Sequence, residues 1–192
     1  MTDTAPTTTF TPEQLTGEYT LDPTHTRLGF VTRHAMITKV RGAFNEFDSE
    51  LYIDAADPSK STAKVVIKVD SIDTRNADRD AHLRSNDFFA MDEYPTITFE
   101  STKAEQVSDD VFRVTGDLTI KGVTKEVSVD LEFTGAAQDP FGNLRLGFEG
   151  GLTVNRKDWG ITWNAALEAG GVLVSEKVTL EFEVSAIKAN ES

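Results

Sequence analysis

The side chains in this chain that could carry chemistry are its 3 histidines and a few charged residues set in compact motifs. His25 stands in Asp22-Pro23-Thr24-His25-Thr26, His34 ends an apolar run, and His82 stands in Arg79-Asp80-Ala81-His82-Leu83-Arg84-Ser85. An imidazole serves as a metal or haem ligand, as a contact for a polar ligand group, or as plain local structure. The spacing matches no His-rich metal motif, so the structural reading is preferred. It has His82 facing Asp78 one helical turn away and His34 closing a strand end. Contact with a ligand head group is the second reading. A haem- or metal-dependent enzyme using His34 or His82 is the third. Arg79, Asp80 and Arg84 either pair with a phosphate or quinone head or lace a helix to the rim of its support, and lacing is preferred. Arg156 is a candidate buried ion-pair partner.

Covalent catalysis has little to work with. The chain has no cysteine, which removes a thiol nucleophile, disulfides and Cys-based zinc. It has no Gly-x-Ser-x-Gly elbow, phosphate loop or dinucleotide fingerprint. We therefore assign no catalytic residue and expect no cofactor and no metal. Charge excludes more. Lys and Arg number 19 against 32 Asp and Glu, a net charge of -13 over 192 residues. Nucleic acid needs a basic footprint, and anionic lipid attracts the same. No stretch reaches the length of a membrane span, so stable membrane insertion is not expected. Met1 to Leu15 carries no basic residue and no apolar signal core. A cytoplasmic location is the default expectation.

The elements that must position these groups are strands. Residues 1–16 are rich in Thr and Pro and read as a disordered or loosely docked tail. Period-two alternation follows. Leu28, Phe30, Thr32 and His34 share a face, as do Val40, Gly42 and Phe44. Leu51 and Ile53 continue out of phase, which predicts a bulge near residues 45–48. Ala63 to Val69, Ile97 with Phe99, Phe112 to Ile120, Val127 to Phe133, Leu144 to Val154 and Val178 to Val184 repeat the alternation. About eight strands result by this rule. Lys121-Gly122 reads as a two-residue hairpin turn, and residues 139–142 as another turn. Short connections make neighbours antiparallel. Such strands either pack as two sheets or close into a barrel, and a barrel of about eight strands has room for one ligand.

Two segments break the rhythm. Residues 77–85 predict a short helix capped by Asn76, with Asp78 and Asp80 at its positive end and Arg84 in its last turn. Phe88 and Phe89 follow it, as a plug or a movable gate, and the plug is preferred. Residues 155–171 predict a loop in which Trp159 and Trp163 flank Gly160. It either covers the opposite mouth or staples a packed loop.

Taken in order, these motifs resemble the YceI-like family of lipocalin-like, polyisoprenoid-binding proteins. The resemblance runs from Gly17 to Ala186. It rests on Asp22 to Thr26, Phe30 and His34, Gly42-Ala43-Phe44, Ser71 to Thr74, Arg79 to Ser85, Asp87-Phe88-Phe89, Tyr94-Pro95, Gly116 to Lys125 and Asn155 to Gly160. The chain departs from the family habit at Tyr19, where Trp is usual, and at Glu126, where Pro is common. The resemblance implies an all-β fold: an elongated eight-stranded antiparallel lipocalin-like barrel with one short helix, spanning 17–188. It also implies an apolar tunnel, a homodimer, and a long-chain isoprenoid or fatty lipid as partner, held for carriage, storage or sequestration. Alternation does not distinguish a filled barrel from a hollow one, so a solidly packed interaction module stays open. On the hollow reading Phe30, Phe44, Ile67, Phe99, Leu118, Leu131, Phe148 and Phe182 line the tunnel. Gly42, Gly116 and Gly150 leave volume unfilled. His34, Asp80, His82, Phe88, Phe89, Arg156 and Trp159 complete the candidate ligand-binding set.

Overall fold

Alternation from Gly17 to Lys188 becomes a continuous antiparallel hydrogen-bonded wall. The structure is a computed structural model, and it describes residues 9–168 and 170–190. The helix α1 (Pro12–Leu15) precedes β1 (Gly17–Leu21), β2 (Arg27–His34), β3 (Thr38–Phe44), β4 (Phe47–Ile53) and β5 (Thr62–Lys68). Then come β6 (Ile72–Asp73), α2 (Ala77–Arg84), β7 (Thr96–Gln106), β8 (Val111–Ile120), β9 (Val123–Gln138), β10 (Leu144–Asn155) and β11 (Lys177–Lys188). Short 3-10 turns lie at Pro58–Lys60, Val69–Ser71 and Arg156–Trp159.

Closure runs through β11. One edge pairs with β10 along the strand, and the other takes β2 at residues 179–183 and β1 at residues 186–188. β1 and β2 are thus one strand bent at residues 22–26. β4 pairs with β1 while β3 pairs with β2, so β3 and β4 are likewise one strand, broken at Asn45 and Glu46. Counted that way, eight antiparallel strands close into a barrel, and β6 adds a stub beside β3. Closure pairs both edges of most strands, leaving residues 123–129 of β9 and 38–42 of β3 paired on one side only.

The break at residues 45–46 is the predicted change of phase. Phe44 on one side, and Phe47, Leu51 and Ile53 on the other, all pack into apolar clusters. The Asn45 N–H donates to Ser71 O at 3.2 Å, and the Lys68 N–H donates to Glu46 O at 3.0 Å. The bend at residues 22–26 is an Asp-centred turn. The Thr24 N–H and hydroxyl both donate to Asp22 Oδ1, at 3.0 and 2.9 Å. β1 itself had no alternation long enough to mark it in the sequence.

The Lys121-Gly122 turn closes Ile120 against Val123 with both central residues left-handed, φ 52° and 75°. That is the two-residue geometry glycine permits. At residues 139–142 the Gly142 N–H donates to Asp139 O at 3.1 Å, closing the second predicted turn.

α2 is capped as expected: the Arg79 N–H donates to Asn76 Oδ1 at 3.0 Å. Asp80 is buried and accepts from the Thr74 N–H at 2.9 Å and the Thr74 hydroxyl at 2.5 Å. Arg79 donates to the Thr74 hydroxyl and carbonyl at 2.7 and 2.6 Å. These bonds lace α2 to the strand end, the role preferred for Arg79 and Asp80. The residues after Thr11 are docked. Gln14 and Thr11 form a reciprocal cap around α1, and Leu15 packs on the cluster of Tyr19, Leu146 and Ala186. Residues 1–8 of the predicted tail lie outside the described residues.

One expectation about volume is corrected. A Cβ on Gly42 would collide with the Phe30 ring, and one on Gly116 would sit 2.6 Å from the Phe99 ring and 2.5 Å from Glu100 O. A Cβ on Gly150 would strike Asp130 O and sit 2.9 Å from Leu131 Cδ2. These glycines leave no void. Aromatic rings and neighbouring strands occupy the space a side chain would need.

Candidate functional site

The barrel interior holds two cavities, of about 400 Å³ and about 290 Å³. Drug-sized and cofactor sites fall in a similar range, roughly 300–1,000 Å³. Ala63, Val114, Leu131 and Val184 line both, so the two abut across the barrel waist. The larger lies toward α1 and the turns at residues 54–61 and 107–110. The smaller lies toward α2 and the Arg156–Trp159 turn.

Strand alternation aims the walls inward. Phe30, Phe44, Ile67, Phe99, Leu118 and Phe182 line the smaller cavity, Phe148 the larger, and Leu131 both. Phe30, Phe44 and Phe89 form a chain of tilted and edge contacts at 5.8 and 5.9 Å. Phe148 meets Phe133 at 5.5 Å and Phe112 at 6.5 Å. Edge and tilted packing is the favourable geometry for such rings.

Aromatic side chains crowd the α2 end. Phe88, buried, and Phe89, half-buried, line the smaller cavity together with Leu83. Trp159 is buried there, and its indole N–H donates to Leu118 O at 2.9 Å. Trp163 packs on His82 at 4.7 Å and on Phe88 at 5.3 Å. Of the two readings of this loop, the packed staple fits: both tryptophans sit at the α2 end, not at the opposite mouth. The αL residue Gly160 (φ 74°) turns the chain after Trp159, and Trp163 then packs back on the helix.

Polar candidates divide. Arg156 lines the smaller cavity, but among the described residues it forms no ion pair: its guanidinium donates to Ser175 O, Ile161 O and Val174 O at 2.9, 2.8 and 3.3 Å. Burial lowers its pKa, and the Glu176 charge opposes that shift. Asp80 lies in the α2 lacing and does not line either cavity. His82 stands outside the cavities too, with its Nε2 2.8 Å from Asp87 Oδ2 rather than facing Asp78. The chain turns back at Ser85, which brings Asp87 under the ring. His34 is exposed at the end of β2 and bridges Val174. His25 contacts Asp22 at 2.7 Å. Among the described residues no group of three or more His, Asp or Glu is placed to hold a metal. No helix among them is long and apolar enough to cross a membrane.

The larger cavity was mostly missed as a site. Its walls include Leu15, Leu51, Ile53, Phe112 and Leu146. Four of these belong to the alternating runs and could have been read from their parity. Leu15 follows Thr11-Pro12-Glu13-Gln14, and that Thr-x-x-Gln spacing is a capping-box signal for a helix start.

The YceI-like domain model matches residues 19–186. A UPF0312 protein of Staphylococcus aureus is 42% identical over 169 residues, covering 88% of this chain and 95% of its own. The structure of a YCEI protein of Campylobacter jejuni is 31% identical, with a TM-score of 0.71 over 82% of this chain and 90% of that one. The fold also matches a polyisoprenoid binding domain of Saccharophagus degradans at 18% identity and a TM-score of 0.67, over 89% and 98% of the two chains.

Proposed function

The chain belongs to the YceI-like domain family, and from that premise we propose that its two cavities act as one tunnel for the tail of a long-chain isoprenoid or similar lipid. The observation that carries this reading is the lining of the smaller cavity. Its walls are aliphatic and aromatic, and its polar members are spoken for. The Thr32 hydroxyl donates to Lys177 O at 3.4 Å, and Arg156 is held by three carbonyls. Such a chamber offers a ligand burial and nothing else. The polyisoprenoid-binding description of a structural neighbour supports the same ligand class.

Energetics then select length. Each buried methylene contributes about 0.8 kcal/mol, while association costs roughly 4–15 kcal/mol. A tail of about ten carbons therefore breaks even, and longer chains bind. The proposed role is carriage, storage or sequestration without catalysis. Titration with a long-chain isoprenoid, read by calorimetry, tests it. We expect saturable binding, weakened in Phe148→Trp, whose larger ring fills the larger cavity. Equal binding by that variant, with an unchanged melting temperature, would contradict the tunnel.

A further inference from the structure

Two ends of one cavity pair differ in polarity, and the difference bears on the ligand's head. This inference rests on the tunnel reading above. At the α2 end the polar side chains in the lining are few, Thr32, Arg156 and the Trp159 indole, and each already donates to a backbone carbonyl. At the other end Asp54, Gln106 and Asp109 stand in the cavity lining beside Ser61 and Thr62. A head group therefore rests at the α1 end, with the tail toward α2.

Carboxylates outnumber cations around that end. Asp54 and Asp57 lie in one rim turn, and Asp109 and Asp110 in the other. Lys60 shares the first turn, and its charge acts on Asp57. The other nearby cations are occupied. Lys103 pairs with Glu105 at 3.6 Å, Arg145 with Asp22 and Asp139 at 2.6 and 2.8 Å, and Lys188 donates to Gln14 O at 2.8 Å. A phosphate or carboxylate head at this mouth meets mostly like charge, with Lys60 the one rim-turn cation to offset it. A hydroxyl, carbonyl or amide meets more polar groups here than at the other end, at Asp54, Gln106, Asp109 and Ser61, with Asp54 Oδ2 left over after Oδ1 takes its two backbone N–H groups, and an amine gains Coulomb attraction.

We propose that this tunnel selects lipids with an uncharged or cationic head and rejects the phosphate and carboxylate forms of the same tail. The test compares geranylgeraniol, geranylgeranylamine and geranylgeranyl monophosphate, which share one tail, against the full chain. The expected order is amine at least equal to alcohol, with the phosphate weaker by about tenfold or more at low salt. The gap narrows as salt rises, since screening acts on exposed charges. It narrows again in the Asp54→Asn, Asp109→Asn double variant. Asn keeps an oxygen acceptor for the Ala56 and Asp57 N–H groups that Asp54 holds at 3.0 and 2.8 Å. A melting temperature matching the wild type in that variant shows that its barrel is intact. Equal affinity for the three probes, or tighter phosphate binding, overturns the selectivity and leaves the tunnel standing. A gap that survives both salt and substitution also overturns it. Binding of none of the probes overturns the tunnel reading and this one with it.

Discussion

Most of the residues that attract attention as chemistry hold the barrel together. Asp22 is the clearest. Burial alone would raise its pKa, but Arg145, His25 and the Thr24 N–H and hydroxyl outweigh that and hold it below the ordinary carboxylate range. Asp139 is held down to about 2 by Arg145, with help from Asn143 and the Phe141 N–H. Both folded-state values lie below the ordinary 3.8. Their stabilisation is therefore present above that value and is lost as pH falls through the lower folded-state ones. Denaturant melts of the wild type and Asp22→Asn should differ by a constant amount above about pH 4, and the difference should shrink toward pH 2. A difference independent of pH would contradict the ion network. Tyr19 is a second case. Its hydroxyl donates to Leu15 O at 2.6 Å, and burial pushes its pKa up to about 12. Tyr19→Phe should lower stability by about 1 kcal/mol and loosen α1, seen as faster amide exchange at residues 14–16. The motif residues were legible as a set, but their partners were not. Asp22 meets Arg145 across 123 positions of sequence, a pairing that only closure creates.

Among the elements, strands and turns were the legible part, because alternation and turn chemistry are local. Irregularities were less so. The break after Phe44 showed as a change of phase, whereas the register shifts between Ser101 and Lys103 and between Gly147 and Phe148 fell inside runs that looked regular. The ends of the barrel were hardest to read, since α2, the 155–171 loop and α1 take their places from tertiary contacts. α2 is short and very polar, so its position depends on its cap and on Asp80. Asn76→Ala should cost about 1 kcal/mol and raise amide exchange over residues 77–84, leaving the β7 to β11 ladders protected. Loss of protection across the whole barrel would mean that the plug and barrel are one cooperative unit. Gly122→Ala places a Cβ 2.7 Å from the Tyr94 ring at φ 75°. It should destabilise by about 1–3 kcal/mol, and a neutral outcome would show that the hairpin can change turn type.

At the scale of the whole molecule, alternation decides which face looks inward but not how far apart opposite walls stand. That is why the lining residues from Phe30 to Phe182 were legible while the hollow was not. The wall glycines illustrate the limit: Gly42 and Gly116 suggest space in the sequence, yet rings from Phe30 and Phe99 take it up. The remaining volume lies between the strands' apolar faces, with Phe88, Phe89 and Trp159 packed at one end. The account stands on that volume being filled by a lipid tail. Native mass spectrometry of freshly purified protein, followed by organic extraction, tests this most directly. It should show a bound species of long-chain isoprenoid or similar mass, near one per barrel, or uptake of such a lipid when it is added. A bare protein that also refuses added long-chain lipid would contradict the account.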